Sequence, residues 1–485
     1  DERSSSSEKP YYLKVSDPEQ PKGWSRLLIN RTLAWNTIRM AMPVVLGMVT
    51  QTAINILDTV MVGRLPTEIA NPGQAAIGFS LPLMWLVSGS LSAVWVGTQA
   101  IASRRFGAGE LDEAGKVLSN SVAIAVSTSL VVSVIAWMSV PSLVGTLYDD
   151  PASVTLGVEY LRARLVAVLA MVTTFSFKSF FDGIGRTHYF LGAAIVMNIL
   201  NVVLNYLFIY GNEPLGIPMM GVQGAAWASV ISAYIGLVAL VVLSLQPALL
   251  ARFRYFRPSD LDFKIIRDIV RLSVPNSAAT IVIMVGFSAF YWVVGQVNDQ
   301  VAEAGNPVIA TASQAVVTLN MVTFMTALAF GSATASLVGQ AVGAKRTFLG
   351  ERYGWEAAKL WAYVMWGFGA LTFFFPDFFI GLINPDPAVI DAARDPTRMF
   401  SVLQGVVAVA MVFAQTLYGT GEAKFVMLVE FVLHIAVMAP GAYLFGLVLD
   451  LGLTGVYIAP ALYGCALAAA TLLRFRAGHW KSVAF

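Results

Sequence analysis

Charge is what this sequence has least of. Of 485 residues only 12% are charged and 57% are hydrophobic, with a mean hydropathy of +0.70, whereas an average soluble domain is about a quarter charged. The composition therefore excludes an ordinary soluble domain. A formal net charge of +2 carries no message about nucleic acid, and no nucleic-acid partner is expected. Cysteine is almost missing as well: Cys465 stands alone in an apolar run, which rules out a disulfide within the chain. Three histidines cannot supply a His-rich metal site, so no metal or other cofactor is expected. The phosphate loop GxxxxGK[ST], the zinc motif HExxH and a GxSxG elbow with plausible partners are all lacking, which argues against an ATPase, a hydrolase or any other enzyme. If the protein moves something uphill, an ion gradient must drive it.

What is present is hydrophobic length. Apolar stretches long enough to span a bilayer are centred near residues 50, 88, 130, 170, 200, 233, 285, 327, 370, 409, 436 and 463. They predict an all-α polytopic membrane protein of twelve transmembrane helices. Residues 1–36, with SSSSEKP and DPEQP, have no apolar stretch followed by a cleavage site and read as a mostly disordered polar tail, ending in an interfacial piece from Trp24 to Trp35. Loop charge sets the expected orientation. The tail, Arg104, Arg105, Lys116, Arg186, the linker from Arg252 to Arg271, Lys345, Arg346, Lys424, Arg474 and Arg476 fall on one side of a twelve-helix count. The positive-inside rule then puts both termini in the cytoplasm, with Arg162 and Arg164 as a mild exception. A multi-pass protein of the bacterial inner membrane is the expectation, surrounded by lipid and working as a monomer on a small-molecule substrate.

The chain also repeats itself. IRMAMP at Ile38 matches VRLSVP at Val270, MVGRL at Met61 matches VVGQV at Val293, RFGAGE at Arg105 faces AVGAKR at Ala341, and GVQGAA at Gly221 faces GLTGVY at Gly452. Such a repeat predicts two pseudo-symmetric six-helix lobes in parallel orientation. The expected boundaries are an N-lobe over 37–246, a cytoplasmic linker over 247–272 lying partly on lipid headgroups, and a C-lobe over 273–485.

Polar residues inside the apolar segments point to the site. In PVVLGMVTQTAINILDTVMVGRL, from Pro43 to Leu65, steps of four and three put Gln51, Asn55 and Asp58 on one helical face. A carboxylate at mid-span costs about 3 kcal/mol on insertion scales, so it faces a bundle interior or a wet cavity. The competing reading lets Asp58 reach the outer interface near Arg64. Pro43, near the other end of the same helix, lacks a backbone donor and offers a hinge. Asn198, Asn201 and Asn205 make a second stripe, which serves either as a site or as inter-helix glue. Glu430 and His434, spaced i, i+4, read as a pair contacting one another, with a structural role ahead of a proton relay or counter-charge. Lys178 and Asp182 read as an interfacial ion pair.

Asp58 followed by MVGRL, then GTQAIASRRFGAGE, NILNVVLNYLFIYG and SLVGQAVGAKR, resemble the multidrug and toxic compound extrusion (MATE) family, in register along nearly the whole chain after the tail. The resemblance implies a twelve-helix secondary antiporter exporting organic, often cationic, compounds against protons or sodium ions. It also implies a cation-coupling set of Asp58, Asn201 and Asn205 with Ser229, the asparagine at 205 being that of NorM-like bacterial members; Asn198 joins the set by helical spacing alone. Departures lie in the second lobe: Ile283 and Gln404 stand where family members tend to carry acids, so coupling is expected to rest mainly on the N-lobe. Gln51, Asn55, Gln404, Glu430 and His434 remain substrate-binding or supporting candidates. The rival functions are a dedicated metabolite exporter and a flippase for a lipid-linked precursor. A flippase should line its cavity with Arg or Lys, which this sequence keeps mostly at helix ends.

Overall fold

The computed structural model describes Leu13, Val15 and residues 28–65, 83–147, 151–301 and 308–483. Hydrocarbon-length apolar sequence satisfies its backbone only by coiling on itself, and the described residues are helical nearly throughout. Helices α1 (Arg31–Gly63), α2 (Val94–Ala108), α3 (Leu111–Leu147), α4 (Pro151–Gly183), α5 (His188–Tyr210) and α6 (Gly221–Ser244) form the first half. Helices α7 (Phe263–Val301), α8 (Val308–Gly343), α9 (Thr347–Phe374), α10 (Pro387–Gly419), α11 (Ala423–Leu433) and α12 (Gly452–Ala477) form the second. Ten of the helical segments are long and apolar enough to cross a membrane. The π-helical turn Trp85–Gly89 leading into α2, together with α9, completes the expected twelve among the described residues. Past α11 the helix continues through π turns at His434–Met438 and Leu444–Val448, separated by Ala439–Tyr443.

Two compact units are distinguished, Leu46–Ser277 and Asp1–Val45 with Ala278–Phe485, so the division runs through α1 and α7 rather than through loops. Within the first unit, α4 is an interior helix and α3 a peripheral one: 72% of the apolar window of α4 is buried against 22% for α3. The exposed face of α3 carries Leu130, Val131, Val134, Ile135 and Met138, the side chains a bilayer would cover. Gly97 on α2 explains how the first turns of α7 pack here, because a Cβ at that position would come within 2.5 Å of the Ile269 carbonyl. Within the second unit, the start of α1 is tied to α9. Asn36 Nδ2 donates to the Tyr353 hydroxyl at 3.0 Å, and the Asn30 N–H donates to Glu356 Oε2 at 2.9 Å.

Several expectations about the periphery change. Helix α1 starts at Arg31, inside the segment expected to be tail; Trp24 lies outside the described residues, as does most of the expected disorder. The two tail residues that are described offer their carbonyls to the Arg346 guanidinium, Leu13 at 2.5 Å and Val15 at 2.6 Å. Part of the linker also packs on protein, which leaves its expected contact with headgroups open: Asn120 on α3 donates to the Asp260 carbonyl at 2.7 Å and accepts from the Asp262 N–H at 3.0 Å. The Lys178–Asp182 pair is buried within the protein near the end of α4, 2.6 Å apart with side chains 6% and 0% exposed. Arg162 lies over the Trp137 ring at 4.3 Å, a cation–π contact that accounts for one of the two arginines breaking the charge pattern.

Candidate coupling site

Four helices of the Leu46–Ser277 unit converge on Asp58. The floor is an apolar cluster of Val62, Leu65, Tyr160, Ala163, Ile209, Val222, Ala225 and Ala226, drawn from α1 and its end, α4, α5 and α6. Helices α5 and α6 approach closely because Gly224 has no side chain; a Cβ there would stand 2.5 Å from the Phe208 carbonyl. That approach brings Ser229 on α6 level with the asparagine stripe of α5.

Asp58 is buried, with 6% of its surface exposed. Each of its carboxylate oxygens accepts one hydrogen bond, Oδ1 from Asn205 Nδ2 at 2.5 Å and Oδ2 from the Ser229 hydroxyl at 3.2 Å. Asn205 Nδ2 also donates to Asn201 Oδ1 at 3.1 Å, and Asn201 Nδ2 donates to Ser229 Oγ at 3.3 Å. The four side chains therefore close a ring, Asp58 to Asn205 to Asn201 to Ser229 and back. One amide and one hydroxyl donating to the carboxylate, backed by the Asn201 amide, stabilise its charge, as charge-assisted bonds are the strong ones. Asn205 Oδ1 is buried and has no hydrogen-bond partner among the described residues, so an acceptor is left over beside Asp58.

Arg164, on α4, was not singled out as a site residue by the sequence, yet its charge acts on both Asp58 and the buried Tyr160. Burial makes the charged form of Asp58 costly, and the bonds from Asn205 and Ser229 offset part of that cost. An arginine in the early turns of an otherwise apolar span was the available signal, read instead as a loop charge. The outer-interface alternative for Asp58 is not what the structure has, because Arg64 is exposed and the carboxylate bonds inward. A carboxylate with surplus amide and hydroxyl oxygens suits a monovalent cation or a proton; among the described residues no cluster of three or more His, Cys, Asp or Glu could hold a metal ion.

The other candidates divide. Gln51 is half-buried on α1, and the side chain of Asn55 lies outside the described residues. Pro43 sits within an unbroken α1. Asn198 is buried, but neither side-chain polar atom has a hydrogen-bond partner, and it takes no part in the ring. In the other unit Gln404 is buried and donates from Nε2 to Thr372 Oγ1 at 3.4 Å. Glu430 and His434 do not pair through their side chains as expected. The Glu430 carboxylate accepts from the Tyr418 hydroxyl at 2.8 Å, and His434 Nδ1 meets the Glu430 backbone carbonyl at 2.8 Å. Helical spacing gave the proximity but not the partner, because α10 supplies a competing donor from outside the helix.

Comparison with known proteins gives a consistent picture. The MatE family model matches residues 43–207 and 279–444, once in each half of the repeat. The chain is 24% identical over 453 residues to a probable multidrug resistance protein NorM of Thermotoga maritima, covering 92% of each chain. It is 25% identical over 415 residues to a protein of the same description from Bacillus anthracis, covering 84% of this chain and 87% of that one. Among solved structures, an outward-facing multidrug resistance MATE family transporter of the MOP superfamily superposes with a TM-score of 0.82 at 21% identity, covering 95% of this chain and 98% of that one. A Vibrio cholerae MATE transporter superposes with the same score at 16% identity, covering 93% and 98%. Likeness at such identities carries the fold.

Proposed function

This chain belongs to the multidrug and toxic compound extrusion (MATE) family of membrane transporters, and on that premise we propose that it is a secondary antiporter exporting organic cations or amphiphiles in exchange for protons or sodium ions. The observation that carries the proposal is the closed ring around Asp58, in which both carboxylate oxygens are held by side chains from other helices. Multidrug resistance is what the NorM relatives are described as conferring, and the acidic site with aromatic surroundings suits a lipophilic cation here. The six-helix lobes, cytoplasmic termini, bacterial inner membrane and monomeric state belong to the same reading.

The ring supplies a mechanism. A cation arriving at Asp58 neutralises the carboxylate, which weakens the bonds from Asn205 and Ser229 that depend on its charge. The leftover acceptor Asn205 Oδ1 gives the incoming proton carrier or sodium ion a second oxygen. With the ring loosened, α1 is free to shift against α5 and α6, and Pro43 lowers the cost of bending it because one backbone hydrogen bond is already missing there. Loss of the charge on Asp58 also removes the counter-charge that holds a cationic substrate. Loading one ligand thereby expels the other, which is the requirement for exchange.

The test is export from a pump-deficient strain expressing the protein, with ethidium and a fluoroquinolone as substrates. Accumulation should fall on expression and recover with a protonophore or a sodium ionophore, whichever gradient drives the cycle. Unchanged accumulation across a broad dye panel would favour the metabolite exporter or the flippase.

A further inference from the structure

A second buried acid lies in the Ala278–Phe485 unit, far along the chain from Asp58, and the mechanism above does not use it. Glu430 is 6% exposed and its carboxylate accepts one hydrogen bond, from the Tyr418 hydroxyl at 2.8 Å. Tyr418 is itself buried, at 1% exposed. Among the described residues Glu430 forms no ion pair; Arg474, which comes from α12, is engaged by Glu422 at 2.7 Å. The titratable groups facing Glu430 are Tyr418 from α10, Tyr463 from α12 and His434 from its own helix. None is a fixed cation. A carboxylate buried in a membrane span with one neutral donor is costly in its charged form, and a merely structural role would be filled as well by glutamine.

His434 completes the arrangement. A backbone carbonyl can only accept, so the contact of Nδ1 with the Glu430 carbonyl at 2.8 Å fixes the hydrogen on Nδ1 and leaves Nε2 with its lone pair. The ring packs edge-on against Tyr463 at 4.6 Å, and Gly286 lies so close that a Cβ there would come within 2.7 Å of His434 Cδ2. His434 is therefore held in one orientation, with the hydrogen of its neutral ring on Nδ1. It also opens the π turn His434–Met438, followed by Pro440 and a second π turn. A helix already interrupted in this way changes its hydrogen-bond register at low cost.

We propose that Glu430, with Tyr418 as its hydrogen-bond donor and His434 bonded to its backbone carbonyl, is a second proton-binding site, one that loads and unloads a proton during the transport cycle. Binding converts the carboxylate to the acid, which gains an O–H donor; the Tyr418 hydroxyl then accepts from it or turns away, and release restores the present bond. The proton comes from and returns to bulk water, so no other reactant is required. The inference rests on the export reading for its role in transport, but the titration of Glu430 stands apart from Asp58.

The experiment uses the full-length protein in lipid bilayers, with acid-minus-alkaline infrared difference spectra of wild type, Glu430→Gln, Asp58→Asn and Tyr418→Phe. A carboxylic acid C=O band that survives Asp58→Asn and vanishes in Glu430→Gln is the expected result. Tyr418→Phe keeps the acid and removes its donor, so it should move the band to higher frequency and displace its midpoint in pH. A spectrum of Glu430→Gln identical to wild type, with Tyr418→Phe also silent, overturns the proposal. In proteoliposomes exporting ethidium, the slope of log uphill accumulation against the pH gradient should fall by about one in Glu430→Gln, as expected when one proton site is lost; an unchanged slope overturns its role in transport. Persistence of gradient-driven export in Asp58→Asn would instead defeat the Asp58 reading, whatever Glu430 does.

Discussion

Asp58 and Phe290 occupy the same place in the two copies of the repeat, because the matching blocks before and after them, at Ile38 with Val270 and Met61 with Val293, share one displacement. Asp58 is a carboxylate held by Asn205 and Ser229. Phe290 is a phenyl ring, 1% exposed, in an apolar cluster with Val293, Val294 and Tyr457, its edge against the Tyr457 ring at 5.5 Å. The two copies keep the helix and differ in what its inner face does: one binds charge, the other fills space. The second copy has a buried acid without an ion-pair partner among the described residues elsewhere, at Glu430 on α11. Repetition of a backbone does not oblige repetition of its chemistry.

The harshest way to break the contrast is to force the chemistry of one copy on the other. Phe290→Asp would bury a carboxylate among apolar side chains without a donor, at a cost on the order of 5 kcal/mol or more. Folded protein should disappear from the monodisperse peak on size exclusion, whereas Phe290→Leu should retain it; a stable Phe290→Asp would mean that the site has hidden polar capacity. Next in size is Asp58→Asn, which keeps shape and removes titration. Gradient-driven export from proteoliposomes should fall to background with thermal stability close to wild type, and export at the wild-type rate would remove Asp58 from the mechanism. Sharper discrimination comes from the ring itself. Asn205→Ala deletes the member that bridges Asp58 and Asn201 and should lower export about thirtyfold, and Ser229→Ala about tenfold, in keeping with about 1.5–2 kcal/mol for a hydrogen bond to a charged group. The reverse order would assign Asn205 to packing.

The mildest test sets buried Asp58 against an acid paired in water. Asp377 is exposed, and its bond from Arg394 Nε at 2.7 Å holds its carboxyl below the usual 3.8. A lowered value in the folded state means stabilisation that is present above the unfolded value and fades as pH drops through the folded one. Wild type should therefore lose slightly more thermal stability than Asp377→Asn on acidification below about pH 4, and the difference should shrink in high salt because the pair is screened. Equal acid sensitivity of the two would show that the pair contributes nothing measurable.

Much of this was legible in the sequence because hydrophobic length and a rare buried charge are strong signals. The twelve helices followed from apolar runs, and the stripe of Asn201 and Asn205 followed from period, since amides in a span need partners. Ser229 was placed by resemblance and is found bonded to Asp58. What could not be read was which partner wins when two are in reach. Glu430 chose Tyr418 over His434, a choice made by the packing of α10. Arg164 escaped for a related reason: loop charge and site charge look alike when only position along the chain is known. Nor could spacing tell that Lys178 and Asp182 are buried, because an i, i+4 pair is compatible with either environment.

The lone Cys465 is exposed on α12. For anyone wishing to watch the molecule work, that thiol is a ready attachment point for a spin label or fluorophore, and no competing cysteine has to be engineered away. Leu462, one turn away, and Leu473, further along the same helix, are exposed apolar side chains, so a probe at Cys465 would report from the acyl-chain environment rather than from water. Maleimide chemistry, which needs the thiolate and water, should therefore be slow there, and a small lipophilic methanethiosulfonate reagent is the better choice.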